Sequence, residues 1–298
     1  MKNLLLYTAI AVFTLYPPSA AGQNYEERGA PKTEASQSSH SRLRERRPNF
    51  GGLNLISQPP AGIPPRISGL AYDGERFWAV IYQGRGRYAI FDPLTLEWRL
   101  SDKNERHKVI REVSGLFGSP GGICFVGDRL WVAGSYGESF GSINMQDWKV
   151  ERLFKGRQRA DQQATQSYFG MTYDGSYLWI AWHWFKYKLP ESQTQLLLKI
   201  DPTTGKVIAE YPLPAGTRND GTHSLVWDGE RLWHMKDNRL SVIDPSNGVV
   251  TAQYTLDPIK RPSGLAWDEK ALWIVEFDGK IWRLPFEDMR DSEETTEH

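Results

Sequence analysis

The chain has 298 residues, and its 36 Lys plus Arg are balanced by 36 Asp plus Glu, so no net charge draws it to nucleic acid or to an anionic membrane surface. Its only cysteine, Cys124, excludes an internal disulfide, and stability has to come from packed side chains, twelve Trp among them.

The N-terminus reads as a secretory leader covering residues 1–21. Lys2 precedes an apolar run from Leu4 to Tyr16, and Ser19 and Ala21 are the small residues expected before a cut after Ala21. That run is shorter than the roughly 20 residues needed to cross a bilayer. The expectation is a secreted or periplasmic protein with no membrane span once the leader is removed. Residues 22–49 are polar, lack apolar periodicity and read as a disordered linker.

From residue 50 to 286 the sequence repeats itself. An aromatic residue is followed six positions later by Trp in five pairs: Tyr72/Trp78, Phe125/Trp131, Tyr173/Trp179, Trp227/Trp233 and Trp267/Trp273. Successive Trp residues lie 53, 48, 54 and 40 positions apart, a period belonging to repeat architectures. Within each unit a first strand such as Gly69–Tyr72 meets the turn Asp73-Gly74-Glu75-Arg76, and a second strand starts at Phe77. Asp-Gly supplies the positive φ of a tight hairpin. A third strand ends in Ile200-Asp201-Pro202-Thr203-Thr204-Gly205 or Ile243-Asp244-Pro245-Ser246-Asn247-Gly248, a second turn signature leading to a fourth strand.

Four antiparallel strands repeated five times predict an all-β, five-bladed β-propeller. The last unit supplies only three strands, and Leu53 to Gln58 at the other end of the chain is the missing fourth. An N-terminal strand is therefore expected to close the ring on the last blade and to cover its open edge. Cys124 occupies the slot of Ala71, Thr172, Val226 and Ala266, which marks it as a buried small residue. The acidic segment 287–298 is expected to be disordered.

Both short turns of each unit fall on one face of such a ring. The longer, more variable loops fall on the other, where sites are built at the channel mouth. Residues reaching that face include Tyr82, Tyr136, His183, Trp184, His223, Asp237 and Glu276, and these are the candidate ligand-binding residues. The unusual stretch Trp182 to Lys188 sits in an insertion: 22 residues separate Trp179 from Asp201, where 11 separate Trp233 from Asp244. Its aromatics read either as a rim for a planar ligand or as a plug over the channel. His183 and His223 fall on adjacent blades with Asp237 and Glu276 next round the ring. They read as a His/carboxylate group or as separate loop contacts, without the local spacing of a metal motif. No phosphate loop, nucleophile elbow or zinc cysteine pair is present, and no cofactor is indicated.

Gly264-Leu265-Ala266-Trp267-Asp268, Ala271-Leu272-Trp273-Ile274-Val275 and Ile200 to Val207 resemble exported propellers of the glutamine cyclotransferase-like group, and more broadly quinoprotein and NHL-type propellers. That resemblance implies a five-bladed ring and cyclisation of an N-terminal glutamine, with a carboxyl group moving the proton. The group's Phe-x-Gln-Gly-Leu stands here as Arg66-Ile67-Ser68-Gly69-Leu70, and its Glu-Gly as Gly121-Gly122, so no catalytic residue carries over. The expected function is binding of a small molecule, glycan or protein partner through the loop face, by a non-catalytic monomer. A glutaminyl-peptide cyclotransferase-like enzyme using a channel-mouth carboxylate is the alternative.

Overall fold

The computed structural model describes residues 54–57, 67–81, 88–100, 119–135, 139–156, 164–186, 189–213 and 223–285. They form twenty strands in five four-stranded antiparallel sheets. β1 is Asn54–Ser57. Blade 1 contains β2 (Ile67–Tyr72), β3 (Phe77–Ile81), β4 (Tyr88–Asp92) and β5 (Glu97–Leu100), and blade 2 contains β6 (Ser119–Val126), β7 (Arg129–Ser135), β8 (Ser139–Asn144) and β9 (Val150–Lys155). Blade 3 contains β10 (Ala164–Tyr173), β11 (Leu178–Lys186), β12 (Leu189–Ile200) and β13 (Val207–Pro212). Blade 4 contains β14 (His223–Trp227), β15 (Leu232–Lys236), β16 (Arg239–Ile243) and β17 (Val250–Thr255). Blade 5 contains β18 (Pro262–Trp267), β19 (Ala271–Glu276) and β20 (Ile281–Pro285), with β1 as its outer strand, in the expected closure. Asn54 faces Arg283, Leu55 faces Trp282 and Ser57 faces Ile281.

The repeated Asp and Trp turn out to be one device. Asp73 Oδ1 accepts the backbone N–H groups of Glu75 and Arg76 at 2.8 and 2.7 Å, which shapes the turn. Its Oδ2 accepts the indole N–H of Trp78 at 2.6 Å and so orients the ring that opens β3. The same bond, at 2.7 Å, joins Trp179 to Asp174, Trp233 to Asp228 and Trp273 to Asp268. Blade 2 has Val126 in place of the Asp, and its Trp131 stacks instead on Phe154, with centroids 6.3 Å apart.

Side chains leave the blades on both faces, so the buried apolar surface divides into five clusters, one between each pair of neighbouring blades. Between blades 1 and 2, for example, Trp78, Val80 and Ile90 meet Ile123, Leu130 and Val132. Trp78 packs against Phe125 in a tilted arrangement with centroids 5.9 Å apart, so the paired aromatics of the repeat bind one blade to the next. Cys124 is buried in the cluster between blades 2 and 3, and burial pushes its thiol pKa up, in keeping with a packing role.

Around the axis the five first strands approach closely. A methyl group added at Gly122 would overlap the Phe169 carbonyl oxygen, and one at Gly170 would overlap the Ser224 backbone. At Gly264 it would press on the backbone of Gly69 and Leu70. In blade 4 the position is Ser224, whose hydroxyl accepts the Leu265 N–H at 2.9 Å and so joins blade 4 to blade 5. At Gly69, by contrast, an added Cβ meets its neighbours at 3.6 Å, an ordinary contact.

Equivalent positions should therefore respond differently to the same change. Gly122→Ala is expected to cost about 3 kcal/mol or more, because backbone would have to move. Gly69→Ala should cost less than about 1 kcal/mol. Urea unfolding of the two variants checks this, and equal losses would contradict the asymmetry.

Candidate functional site

The blade 3–blade 4 interface departs from the other four. Its lower part is apolar, with Trp179, Ala181 and Leu197 packed on Leu225, Leu232 and Ile243. Above that layer the same faces of the same strands become polar. On blade 3, Ser167, His183 and Gln195 are directly opposed across β10, β11 and β12 and share one face. On blade 4, His223 opposes Lys236, and His234 lies one row deeper between Leu225 and Ser241.

These side chains are deeply buried: His183, His223 and His234 are each 1% exposed and Lys236 is 4% exposed. His223 lies between the other two imidazoles, with its ring centroid 5.2 Å from that of His234 and 5.8 Å from that of His183. Its Nδ1 is 2.9 Å from His234 Nε2, and its Nε2 is 3.2 Å from Lys236 Nζ. With Lys236 protonated, its ammonium can only donate, to His223 Nε2, which leaves His223 Nδ1–H to donate to His234. Phe169 on the first strand stacks over His223 at 5.4 Å and reaches His183 at 6.1 Å. Among the described residues, two buried polar atoms of this layer, Ser167 Oγ and Gln195 Oε1, have no hydrogen-bond partner, and neither do Ser68 Oγ and Ser142 Oγ in blades 1 and 2.

Burial is the main cause that lowers the His223 pKa well below the usual histidine value, and the neighbouring basic groups His234, Lys236 and His183 oppose its protonation further. Burial, then Lys236, pulls His234 down to about 3. Both imidazoles are therefore neutral at physiological pH and present one donor and one acceptor nitrogen each. Among the described residues, no group of three or more His, Cys, Asp or Glu is arranged to hold a metal ion.

Of the residues expected at the loop face, the structure brings His183 and His223 together. Trp184 lies on the opposite face of β11 and packs into the cluster between blades 2 and 3. The stretch from Trp182 does not start a rim loop at that point, because β11 continues to Lys186, with Trp182, His183 and Trp184 paired to Leu196, Gln195 and Thr194. Asp237 sits in the β15–β16 turn with φ 54°. Glu276 is buried, and it accepts the N–H groups of Lys260 and Arg261 at 3.2 Å and the Trp282 indole at 2.8 Å, so both carboxylate oxygens hold the fold together. Tyr82 and Tyr136 lie outside the described residues.

His234 was not among the expected residues. The signal was in the repeat: the residue after the blade Trp is Ala79, Val132, Ile180 and Ile274 in the other blades, and His234 here. A buried histidine in an otherwise apolar column marks where the scaffold has been altered.

No protein-family profile matches the sequence, and no curated protein matches it significantly. Solved structures do. A glutaminyl cyclase from Myxococcus xanthus superimposes with a TM-score of 0.52 at 11% identity, covering 78% of this chain and 94% of that one. Virginiamycin B lyase from Staphylococcus aureus gives a TM-score of 0.41 at 14% identity, covering 77% and 69% of the two chains. The WD40 domain of Pan2 from Neurospora crassa gives 0.41 at 13% identity, covering 74% and 61%. The likeness is one of fold.

The histidines set a pH dependence. Their folded pKa values lie below the unfolded value of about 6.5, so the unfolded state takes up protons first as the pH falls. Their stabilising contribution is complete above about pH 6.5 and is lost below it, by up to about 1.4 kcal/mol per histidine per pH unit. Carboxylates held low by turn hydrogen bonds, such as Asp201 and Asp244, add their loss only at more acid pH. Among the described residues, the basic groups facing the cluster are His183 from blade 3 and Lys236 and Arg239 from blade 4. His234→Ile, which restores the residue of blades 3 and 5, should reduce the fall in urea stability between about pH 6.5 and 5 to roughly half. A wild-type stability that is flat over that range would contradict neutral burial.

Proposed function

We propose that this protein is a ligand-binding propeller whose site is the polar head of the blade 3–blade 4 interface, reached from the loop face. The observation that carries this reading is the buried set of three histidines and one lysine beside two unsatisfied polar atoms. Burying an unpaired polar group costs about 1–3 kcal/mol, so a fold that needed only adhesion between blades would have continued the apolar layer. The other blades do so with Ala79, Val132, Ile180 and Ile274 at the His234 position. Phe169 offers an apolar wall and the polar row offers donors and acceptors, the usual composition of a small-molecule site. Export by the N-terminal leader belongs to the same reading, and the protein recovered from an exporting host should begin at Gly22 by mass.

The glutaminyl cyclase of similar fold motivates a second reading, in which this protein also cyclises N-terminal glutamine. That chemistry needs a carboxyl group to move a proton. Glu276 already accepts three hydrogen bonds from the scaffold, which places the enzymatic reading second.

A thermal-shift screen of metabolites and glycans tests the first reading. A compound present at a hundred times its dissociation constant should stabilise the protein by about 2.7 kcal/mol, and His183→Ala should abolish the shift. A screen without a hit that depends on His183 would count against the site. Ammonia release from a glutaminyl peptide, lost in Glu276→Gln, would favour the enzyme instead.

A further inference from the structure

The loop-face end of the blade 3–blade 4 seam contains a chain of contacts between nitrogen atoms. His223 Nδ1 is 2.9 Å from His234 Nε2, and His223 Nε2 is 3.2 Å from Lys236 Nζ. Each contact has room for one proton. With Lys236 donating, its N–H fills one contact and His223 Nδ1–H fills the other, so the lone pair of each imidazole is already used. A proton taken from solvent by His234 Nε2 would set two N–H groups head to head. Moving the His223 proton to its Nε2 transfers that conflict to the Lys236 contact. In the reverse arrangement a neutral Lys236 accepts; its amine, the stronger base, takes the first proton and returns the chain to the arrangement above. Once Lys236 donates, neither imidazole can be protonated while both contacts persist.

The surroundings offer an imidazolium nothing in exchange. His223 and His234 are each 1% exposed, and besides one another the groups whose charge acts on them are His183 on β11 and Lys236 on β15, with no carboxylate among them. The His183 ring centroid is 5.8 Å from that of His223. Arg239 on β16 continues the row of His223 and Lys236, and Asp237 sits in the turn between β15 and β16. Lys199 on β12 and Tyr211 on β13 lie lower, against the Trp179 ring. Among the described residues, β10 and β17 bring no titratable side chain to this face, and β18, on the far side of β14, has none.

Resting on the reading that this interface binds a small molecule, we propose that the chain from Lys236 through His223 to His234 is an acid-released latch on that site: it holds the loop-face end of the seam shut at neutral pH, and acidification parts the two blades there and frees the ligand. Parted blades expose the imidazoles to water, where they take up protons at their ordinary pKa of about 6.5. The closed form resists those protons, so its advantage is complete above about pH 6.5 and is lost as the pH falls. From pH 7 to pH 5 each histidine should raise the opening constant about 25-fold, and the two together about 600-fold. The apolar layer beneath, Trp179, Ala181 and Leu197 on Leu225, Leu232 and Ile243, keeps the blades hinged.

Ser167 opposes His183 across the strands and is 1% exposed, so a thiol placed there reports the opening of the seam. The full protein carrying Ser167→Cys is treated with a dipyridyl disulfide that reacts with thiols in acid, and rates are divided by that of free cysteine at the same pH. The native Cys124, buried between blades 2 and 3, is the internal control for unfolding of the whole ring. Between pH 7 and pH 5 the introduced thiol should label at least about 100-fold faster while Cys124 does not. Adding His234→Ile should cut that gain to about 25-fold, the share of His223 alone. Gln195→Cys, across from His183 on the other side, is the second reporter should Ser167→Cys fail to fold. A labelling rate independent of pH, a parallel gain at Cys124, or an undiminished gain with His234→Ile would each overturn the latch. The measurement needs no ligand, so the two readings fail separately. A ligand that depends on His183 without acid-dependent labelling overturns the latch and leaves the site. Acid-dependent labelling in a protein for which the screen finds no ligand overturns the release and leaves the opening.

Discussion

The close approach of five first strands around one axis is the constraint on which the rest of this structure depends. With only five blades the inner strands meet at backbone contact, and the position that faces the next strand is Gly122, Gly170 or Gly264 in three of them. Where it is Ser224, the side chain replaces packing with a hydrogen bond to the next blade. The neighbouring column is small as well: Ala71, Cys124, Thr172, Val226 and Ala266. Thr172 uses its hydroxyl to accept the Trp227 N–H, a second stitch between blades 3 and 4. A wider ring would tolerate larger residues in both columns. Here backbone meets backbone at the glycine column, the neighbouring column borders a cavity of about 140 Å³ lined by all five first strands, and the large apolar side chains lie further out, between blades.

That geometry explains why the interior is five separate clusters and why the Asp-to-Trp bond recurs. A blade is a thin sheet with neighbours on both sides, and each interface needs a large side chain at a fixed angle to fill the widening wedge away from the axis. Trp fills it, and the Asp at the preceding turn sets its orientation by taking the indole proton. One carboxylate thus shapes the hairpin with Oδ1 and aims the interface residue with Oδ2. Blade 2, without the Asp, reaches the same end by stacking Trp131 on Phe154. The interface is what the repeat encodes, and the turn chemistry is how it does so.

Much of this was legible in the sequence because it is periodic. Blade number, strand order, both turn types and the closing N-terminal strand follow from a pattern written five times, and His183 and His223 could be set on adjacent blades by counting strands. The candidate site was less legible because it occurs once. His234 is internal to a strand that looks like any other second strand, and its significance lies in the comparison with Ala79, Val132, Ile180 and Ile274. Lys236 ends a second strand on the loop-face side, and its burial shows only in the folded structure. Glu276 resembled a channel-mouth acid, but the two backbone N–H groups at Lys260 and Arg261 that occupy it belong to a loop whose path the sequence does not reveal. Trp184 was one residue out of phase with the cluster, because alternation along β11 sends it to the other interface.

A ring of near-identical interfaces also accounts for where a site can arise at low cost to the fold. Each interface contributes adhesion independently, and the layers nearest the short turns, with the Asp-to-Trp bonds and the apolar clusters, hold neighbouring blades in register. The layers nearest the loop face are further from that clamp, so an apolar layer there can be exchanged for polar groups while the blade below keeps its position. Blades 3 and 4 show this division within one interface: Trp179, Leu225 and Leu232 are packed like their equivalents elsewhere, and the histidines begin directly above them. The neutrality of His223 and His234 follows from the same arrangement. They are rooted in strands whose backbone is committed to the ladder, so they cannot swing out to water and must give up their protons instead. Rigidity and altered chemistry at this interface thus have a single origin, the continuation of a well-packed β-sheet into a layer where its side chains no longer match the repeat.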